Sequence, residues 1–270
     1  MTRGPGRLVL LGHPVSHSLS PRMQNAALDS AGISLRYEAL DVAPEDFDDV
    51  LAALRSEHAA GNVTIPHKER MMRACDTLTP LAEHVGAVNT WWVDDDGRLF
   101  GDNTDVGGLD AAVTELMGAR PHDVSVGVIG AGGSAAAVLA AVESWPGCVA
   151  HVWNRTPERA RILCERFRNV AQQVDDIGVI GGAQIVVNAT SVGLRDDALP
   201  IDHELIAPES AAIDLVYRPG ETAWVRSLRL RGHRVCDGTA MLVEQGALAF
   251  ETWFGVTADR AAMWRAIALP

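Results

Sequence analysis

Cysteine is scarce in this 270-residue chain, and the few cysteines present are widely spaced. Cys75, Cys148, Cys164 and Cys236 are the four, and no two of them form the short C-x-x-C spacing of a zinc site. Cysteines so few and so scattered also argue against a disulfide framework. We therefore expect free thiols, a reducing compartment and a cytoplasmic protein.

Positive charge is also in deficit, because the formal net charge is −12. Proteins that bind nucleic acids or acidic membranes generally present a basic face, so this charge argues against both kinds of partner. A small anionic ligand stays compatible with it, since a few arginines can outweigh the overall charge locally. The expected partner is therefore a small molecule.

Long apolar runs are missing as well. Residues 1–7 lead only into a short apolar stretch that residues 12–14 end, so we expect neither a signal peptide nor a membrane-spanning helix. Internal repeats and low-complexity segments are absent too. The composition, 47% hydrophobic and 21% charged residues, is typical of a globular protein with a real core. A length of 270 residues favours two domains.

Strands and helices alternate over roughly the first hundred residues, which is typical of an α/β unit. Apolar periodicity predicts strands over residues 8–11, 37–42, 63–65, 88–93 and 98–100, and helices over residues 23–31 and 47–54. The last two strands flank the acidic turn Asp94-Asp95-Asp96-Gly97 and are expected to form a hairpin.

A clearer alternation begins at residue 124 and indicates a doubly wound parallel sheet of the Rossmann type. Here the sequence predicts strands over residues 124–129, 149–153, 185–188, 212–216 and 234–235. A helix is expected over residues 134–142, and another begins at Thr156-Pro157-Glu158 with a capping threonine and a first-turn proline. After residue 238 the chain becomes helical, over residues 241–254 and 261–268.

A glycine-rich turn, Gly130-Ala131-Gly132-Gly133-Ser134-Ala135, lies between a strand and a helix, which is the context that a dinucleotide-binding fingerprint requires. Gly130 permits the tight turn, Gly132 lets the backbone approach a pyrophosphate, and Ala135 is small enough for close helix–strand packing. The helix N-terminus supplies N–H donors to the phosphates. Glycine turns are common in α/β proteins, but this placement favours nucleotide binding.

The next strand ends at Asn154-Arg155-Thr156-Pro157-Glu158-Arg159, and the acidic residue expected of an NAD site is missing there. An arginine can bind a phosphate in a bidentate way, and Asn154 and Thr156 can add neutral hydrogen bonds. The alternative is that Arg155 and Arg159, four residues apart around Glu158, form a charge pair on a helix face. The missing acid favours the first interpretation, so we predict NADP as the cofactor.

The heptad Asn62-Val63-Thr64-Ile65-Pro66-His67-Lys68 places one lysine just behind a short apolar strand. Pro66 cannot continue a β-ladder, so the strand should end there. The side chains of Asn62, Thr64 and Lys68 should then point into the space at the end of the strand. A lysine by itself is usually a solvated surface charge. A second polar turn, Gly101-Asp102-Asn103-Thr104-Asp105, favours a functional role, because loops at strand ends often carry chemistry.

Two serines follow the first predicted strand. Ser18 and Ser20 alternate, so on an extended segment their hydroxyls would face the same way and could hold a carboxylate. The alternative is that Ser20 caps the helix that starts near Pro21. The local sequence leaves both interpretations open.

Eight short motifs occur in the order found in shikimate dehydrogenases, and the chain resembles that family from about residue 8 to residue 254. Each motif is modest, but eight in register make coincidence very improbable. The motifs are Ser18-Leu19-Ser20-Pro21, the heptad ending at Lys68, Ala87-Val88-Asn89-Thr90, the turn ending at Asp105, Gly130-Ala131-Gly132-Gly133, Asn154-Arg155-Thr156, Asn188-Ala189-Thr190-Ser191 and Met241-Leu242-Val243-Glu244-Gln245.

The resemblance implies reduction of 3-dehydroshikimate to shikimate by NADPH, in the chorismate route to aromatic amino acids. The family's catalytic pair matches Lys68 and Asp105. Its substrate-binding positions match Ser18, Ser20, Thr64, Asn89, Tyr217 and Gln245. Its cofactor-binding positions match Gly130, Ala131, Gly132, Gly133, Ser134, Asn154, Arg155, Thr156, Arg159, Thr190 and Met241. The expected domains are residues 1–105 plus 239–270 for substrate binding and catalysis, with the C-terminal helices returning to the first domain, and residues 106–238 for NADP.

These residue types suit the reaction independently. Hydride addition to a ketone leaves an alkoxide that needs a proton, so a donor must lie within hydrogen-bond reach. The Lys68 ammonium can stabilise that oxyanion and supply the proton, while Asp105 can hold the lysine and accept a hydrogen bond from a substrate hydroxyl. No metal is needed, and His13 and His17, interrupted by Pro14, are not expected to bind zinc.

Three positions depart from the family's pattern. His13 replaces a common asparagine, and Gln24 replaces a frequent histidine. Thr239-Ala240 replaces the more usual Leu-Gly before Met241. Since that last loop leads toward the nicotinamide in the family, the change can alter substrate preference or only local packing.

Three alternatives therefore stay open. A related enzyme could act on quinate or another cyclohexane carboxylate. A catalytically silent NADP-binding regulator is opposed by intact Lys68 and Asp105, and a folate-type dehydrogenase is opposed by the Ser18 and Ser20 pair. The sequence is compatible with both a monomer and a homodimer.

Overall fold

The computed structural model describes residues 4–268 of the chain. The expectation about a signal peptide rests partly on residues 1–3, which lie outside this part. From residue 4 to residue 268, no helix is both long and apolar enough to cross a membrane. The chain forms two compact units. The first holds the residues up to Asp105 and those from Leu242 onward, and the second holds Val106–Met241.

The N-terminal part of the first unit alternates strands and helices. Its elements are β1 (Leu8–Gly12), α1 (Ser20–Ser30), β2 (Tyr37–Asp41), a short 3-10 helix (Pro44–Asp46), α2 (Phe47–Ser56), β3 (Ala60–Val63), α3 (Lys68–Ala74), β4 (Thr77–Leu78), α4 (Pro80–Val85), β5 (Thr90–Val93) and β6 (Leu99–Asp102). Capping residues explain where some of these helices begin and end. Helix α4 begins at Pro80 after Thr79, whose hydroxyl accepts from Ala82 N, and it ends at Gly86 with φ of 75°.

The second unit repeats the alternation of strands and helices. Its elements are α5 (Asp105–Met117), β7 (Ser125–Ile129), α6 (Gly133–Glu143), β8 (Val149–Trp153), α7 (Pro157–Arg166), β9 (Ala171–Gln173), α8 (Ile177–Gly181), β10 (Ile185–Asn188), a short 3-10 helix (His203–Leu205), β11 (Ala211–Asp214), α9 (Ala223–Leu230) and β12 (Val235–Cys236). The chain then forms α10 (Thr239–Phe254) and α11 (Arg260–Ile267).

Each unit is built on a six-stranded sheet. The first has the order β2-β1-β3-β5-β6-β4, in which only β5 runs antiparallel to its neighbours. The second has the order β12-β11-β10-β7-β8-β9, and all its pairs are parallel. The predicted α/β fold with a Rossmann-type doubly wound sheet is confirmed.

The C-terminal helices belong to the first unit, as predicted. Gln24 of α1 donates to the carbonyl of Gly246 in α10 at 2.9 Å. A Cβ on Gly246 would lie 2.2 Å from Met23 Cε, so the missing side chain lets α10 approach α1 closely. The hydroxyl of Ser30 donates to Asp259, which also caps α11, at 2.7 Å.

Each unit has a hydrophobic core of its own. In the first, Phe47 and Trp91 are fully buried among aliphatic side chains of β1 and β3. In the second, Trp224 packs with Ile129 and Ile180. Residues 135–142 of α6 are all buried, and their alanine-rich sequence suits a helix covered on every side.

The sequence placed β3 wrongly, at residues 63–65 instead of Ala60–Val63. The prediction left out Gly61 and Asn62, but both belong to the strand. A Cβ on Gly61 would lie 1.9 Å from the carbonyl oxygen of Val9, so only glycine fits beside β1. Ile65, which the prediction placed in β3, lies beyond it and is 61% exposed.

Candidate active site

Polar segments of the first unit meet at one edge of its sheet. In the parallel pair of β1 and β3, Leu11 lies opposite Val63, so both strands end at this edge. Strand β5 starts there, since Thr90 lies opposite Asn62 of β3 and Asp102 of β6. The two predicted polar segments, ending at Lys68 and Asp105, therefore leave the sheet together.

Lys68 and Asp105 form a direct ion pair. Lys68 Nζ lies 2.5 Å from Asp105 Oδ2, and the side chains are only 16% and 7% exposed. Asp105 is the first residue of α5, where the helix N-terminus favours a negative charge. Its N–H donates to Asn103 Oδ1 at 3.1 Å. The lysine is thus a held, mostly buried cation rather than a solvated surface charge.

Asn89 connects this pair to the C-terminal part of the unit. Its Nδ2 lies 2.7 Å from Asp105 Oδ1, 3.0 Å from Thr104 Oγ1 and 3.2 Å from Gln245 Oε1. Its Oδ1 accepts from the N–H of Thr104 at 2.7 Å. Lys68, Asp105, Asn89 and Gln245 therefore form one hydrogen-bonded cluster. The sequence had not singled out Thr104, although its place within the second polar turn was the available signal.

Ser18, Ser20 and Thr64 follow the ends of β1 and β3 at the same edge. Thr64 donates its N–H to the carbonyl of Leu11 at 2.8 Å, which ties the two loops together. Ser20 is 5% exposed and begins α1, whose N-cap residue Leu19 is already helical and has no side-chain cap bond. Both the extended alternation and the Ser20 cap are therefore wrong. Ser18 Oγ instead accepts from the N–H of Ser20 at 3.2 Å.

Asn62 supports the site instead of pointing into it. Its side chain is 5% exposed and lies within β3. Its Oδ1 accepts from the hydroxyl of Tyr37 at 2.8 Å, and its Nδ2 donates to Thr90 Oγ1 at 2.9 Å and to the carbonyl of Asn89 at 3.1 Å. Because every polar atom is engaged within the chain, Asn62 fixes the backbone of Asn89.

The glycine turn of the second unit has a shape that can admit a phosphate. Gly130 has φ of 118°, in the left-handed region that favours glycine. Gly132 is the N-cap residue of α6, and a Cβ built on it meets no atom within 4 Å. Ala131, Gly133 and Ser134 are all partly exposed. N–H groups at this helix start can therefore reach a bound anion.

The end of β8 presents two arginines without a carboxylate partner. Within residues 4–268 neither Arg155 nor Arg159 makes an ion pair, and both are exposed. Glu158 pairs instead with Arg161 at 2.6 Å, and Arg161 also bonds Glu165. Arg155 precedes α7, so the alternative of a helix-face pair with Arg159 is wrong. Two free guanidinium groups remain to bind an external anion.

The two neutral residues at this strand end behave differently from one another. Asn154 Nδ2 donates to the carbonyl of Thr156 at 2.9 Å and so shapes the turn. Thr156 is the N-cap residue of α7, but its side chain makes no cap hydrogen bond, contrary to expectation. The Thr156 hydroxyl is consequently not engaged at the helix start.

Three further predicted residues lie at or beyond the ends of other elements. Thr190 follows β10, which is paired with β7, so it leaves the sheet at the same edge as the glycine turn. Met241 is 8% exposed and lies in the first turn of α10. Tyr217 is half-buried and follows β11 in the second unit.

The residues that depart from the family's pattern have local roles. His13 Nδ1 lies 2.5 Å from Asp41 at an exposed position. Gln24 holds α10 through Gly246, as described above, and its Oε1 is buried without a partner. Thr239 N donates to Asp237 at 3.0 Å and starts α10. In the described part of the chain, no three His, Cys, Asp or Glu side chains are grouped as metal ligands would be.

Comparison with known proteins gives consistent results over nearly the whole chain. Residues 10–91 match the shikimate dehydrogenase substrate binding domain, and residues 238–268 match the shikimate 5'-dehydrogenase C-terminal domain. A shikimate dehydrogenase (NADP(+)) from Rubrobacter xylanophilus is 44% identical over 267 residues, covering 96% of this chain and 94% of the relative.

Two solved structures are also similar. Shikimate 5-dehydrogenase from Thermus thermophilus, in complex with NADP(H) and shikimate, superposes with a TM-score of 0.88 at 41% identity, covering 96% of this chain and 97% of that one. Quinate dehydrogenase from Corynebacterium glutamicum, in complex with NAD, has a TM-score of 0.86 at 28% identity, covering 96% and 97%. An identity of 44% across almost the full length is far above what a shared fold alone requires. The chain belongs to the shikimate dehydrogenase family.

Proposed function

We propose that this protein is an NADP-dependent shikimate dehydrogenase, which reversibly reduces 3-dehydroshikimate to shikimate. The observation that carries the proposal is the buried pair of Lys68 and Asp105, 2.5 Å apart and joined to Asn89 and Gln245. Such a cluster combines a proton donor with several hydroxyl-binding groups. The family relationship supports the same activity.

The catalytic work of the chain is a proton transfer. When bound, NADPH supplies the hydride that reduces the ketone. The Lys68 ammonium stabilises the negative charge that develops on the ketone oxygen and donates a proton from Nζ. Asp105 holds that ammonium in place, and its second oxygen, bonded to Asn89, fixes the orientation of the carboxylate.

The remaining polar residues of the first unit suit a small hydroxylated carboxylate. We assign Ser18 and Ser20 to the carboxylate. The Ser20 hydroxyl does not cap α1, and the Ser18 hydroxyl only accepts, from Ser20 N, so both keep a hydrogen to donate. Both serines follow β1 at the sheet edge where the loop after β3, with Thr64, also begins. Thr64, Asn89 and Gln245 are assigned to the ring hydroxyls. Tyr217 completes the proposed set through the family's pattern.

The second unit fits NADP. Gly130 to Ser134 would hold the pyrophosphate, since the turn has open space at Gly132 and lies at the start of α6. Arg155 and Arg159, with Asn154 and Thr156, would hold the 2′-phosphate. Thr190 and Met241 are assigned to the nicotinamide side. We assign substrate binding and catalysis to residues 1–105 plus 239–270, NADP binding to residues 106–238, and the cytoplasm as the location, which four free thiols support.

Initial rates test the proposal directly. Shikimate and quinate are each assayed with NADP and with NAD by the absorbance of the reduced nicotinamide. We expect the highest kcat/KM for shikimate with NADP. Preference for quinate would support the second candidate, which the similarity to quinate dehydrogenase favours. NADPH binding without turnover of any pair would instead indicate a silent regulator.

The cofactor assignment has its own test, which is Arg155→Ala. Loss of a charge-assisted phosphate contact should raise the KM for NADPH about tenfold or more, while the KM for NADH changes little. Arg161→Ala is the matched control, because Arg161 is occupied by Glu158 and Glu165 on the same helix. Equal effects of Arg155→Ala on both cofactors would contradict the 2′-phosphate assignment.

A further inference from the structure

The second unit contains a fully buried carboxylate that the proposed chemistry does not use. Asp214 is 0% exposed at the end of β11. Its Oδ2 accepts from the hydroxyl of Thr222 at 2.7 Å, and its Oδ1 accepts from Asn188 Nδ2 at 2.8 Å and Val216 N at 3.1 Å. All three neighbours can act as donors, so the contacts match an ionised carboxylate.

This carboxylate determines which way the amide of Asn188 faces. An ionised carboxylate has acceptors only, so the amide nitrogen of Asn188 must point toward it. The amide oxygen then points toward Thr190. It accepts from the Thr190 N–H at 3.1 Å and from the Thr190 hydroxyl at 2.6 Å. The Thr190 hydroxyl in turn accepts from Val192 N at 3.1 Å.

Thr190 lies directly against the glycine turn. A Cβ built on Gly130 would be 2.8 Å from the carbonyl oxygen of Ala189 and 3.1 Å from Thr190 Cγ2. Ala189 N donates to the carbonyl of Ile129, the residue before the turn, at 2.8 Å. The position of residues 189–190 is therefore coupled to the backbone that approaches a pyrophosphate.

We propose that Asp214 is a positioning residue for the cofactor, which acts through Asn188 to hold Thr190 beside the glycine turn. The inference rests on the proposed function of the second unit as the NADP-binding one. A buried hydrogen-bond network suits this task because each side chain has only one orientation in which all its hydrogen bonds are made. The loop after β10 is therefore held in a single conformation. Asp214 itself touches neither the cofactor nor the substrate in this role.

The central test compares Asp214→Leu with Asp214→Asn. Leucine has the same branched shape but removes the acceptor that holds the Asn188 amide nitrogen, so the Kd for NADPH should rise about tenfold, the worth of one well-placed hydrogen bond. Asparagine keeps an acceptor for Val216 N and Asn188, so it should restore the Kd to within about threefold of wild type. The KM for shikimate at saturating NADP should stay within about twofold in both variants.

A double-mutant cycle separates positioning from general stability. Thr190→Val removes the hydroxyl at the other end of the hydrogen-bonded series that begins at Asp214. Its effect on the NADPH Kd should not add to that of Asp214→Leu. If Asp214→Leu does not fold, Asn188→Ala removes the link itself and gives the same test. Unchanged NADPH affinity in a folded Asp214→Leu or Asn188→Ala variant, or additive effects with Thr190→Val, would overturn the inference.

Fluorescence titration of NADPH measures each Kd well below the unfolding temperature of each variant. A wild type that binds no NADPH would overturn the proposed function and this inference with it. A wild type that binds NADPH, beside variants that bind equally well, would overturn the inference alone. The two failures are therefore distinguishable in one series of titrations.

Discussion

Lys68 is the only lysine among the 23 lysine and arginine residues of the chain. The other 22 are arginines, and many of these form exposed ion pairs, as Arg36 does with Asp29. Arginine keeps its proton in proteins, whereas lysine can release one. The one lysine of the chain lies against the buried carboxylate of Asp105, as a proton donor requires. The composition alone therefore distinguishes Lys68 from the other 22 residues of this count, independently of the motif and of its position after a strand.

Replacing Lys68 by arginine separates charge from proton donation. Lys68→Arg keeps a cation beside Asp105 but cannot supply the proton, so kcat should fall by about 10²- to 10⁴-fold. The KM for shikimate should change less, because the hydroxyl-binding residues remain. Arg73→Lys is the matched control on the exposed side of the same helix and should leave steady-state rates unchanged. A Lys68→Arg enzyme within tenfold of wild-type turnover would show that charge alone is sufficient.

Asp214 also predicts how stability depends on pH. Burial raises the pKa of Asp214 and the charge of Asp237 raises it further, while the hydrogen bonds from Thr222, Val216 and Asn188 lower it. The nearby Cys236 stays neutral, because burial raises the pKa of its thiol to about 12. The folded state therefore binds the Asp214 proton more tightly than the unfolded chain does. By linkage, this group makes stability fall as pH rises from the ordinary aspartate pKa of 3.8 through the raised folded pKa.

The measurement is the free energy of unfolding of wild type and Asp214→Asn by denaturant titration at several pH values. The difference, variant minus wild type, should grow as pH is raised from about 4 to about 7, since only the wild type carries the buried charge. A difference that shrinks over this range would mean that the hydrogen bonds lower the Asp214 pKa by more than burial raises it.

At the scale of single elements, the sequence predicted most strands but left helices α3, α4, α5, α8 and α9 unpredicted, and it misplaced β3, where a polar residue is buried. Strand β3 was shifted because Asn62 looked like a loop residue, whereas Tyr37, Asn89 and Thr90 satisfy its amide. Those partners come from distant segments that no local pattern reveals. The Ser18 and Ser20 geometry failed for a related reason, since α1 starts one residue before Pro21 and removes the extended segment.

Gly61 gives the strongest prediction about an element. Alanine there would place its Cβ 1.9 Å from the Val9 carbonyl oxygen, which belongs to the backbone of the neighbouring strand. Because backbone cannot move aside as a side-chain end can, β1 and β3 must separate locally. We expect Gly61→Ala to lower the free energy of unfolding by about 3 kcal/mol or more. In the control Gly182→Ala, whose Cβ would be 3.6 Å from its nearest neighbour, the change should stay within about 0.5 kcal/mol. Equal stability of the two variants in denaturant titrations would contradict this account.

At the scale of the whole molecule, the chain is strongly acidic but is proposed to bind an anionic cofactor. Despite the net charge of −12, Arg155 and Arg159 provide local positive charge, since neither makes an ion pair within residues 4–268. The sequence predicted a phosphate-binding role for Arg155 because the acid expected of an NAD site is missing at this strand end. It could not show that Glu158 pairs with Arg161. On a helix, Glu158 can reach Arg161, three residues further on, more readily than the adjacent Arg159.

The two-unit organisation predicts where each ligand should protect the backbone. Each unit has its own sheet and its own core, and apart from Tyr217 the residues proposed for each ligand lie in one unit. A ligand at a concentration of 100 times its Kd stabilises the form that binds it by about 2.7 kcal/mol. Where exchange requires a local opening that releases the ligand, hydrogen exchange is then slowed about 100-fold. NADPH alone should therefore slow exchange at residues 130–136, 154–159 and 188–193. Shikimate alone should slow exchange at residues 13–20, 62–68 and 102–105.

Exchange followed by mass spectrometry, with each ligand added singly, checks this pattern. Arg155→Ala serves as the control, because it should lose most of the NADPH protection and keep the shikimate protection. Protection by shikimate alone that is confined to residues 125–238 would refute the assignment of Ser18, Ser20, Thr64 and Asn89 to the substrate. The pattern tests the site through backbone amides, so it does not depend on turnover. It would therefore distinguish a misplaced substrate site from a correctly placed site with a defective proton donor.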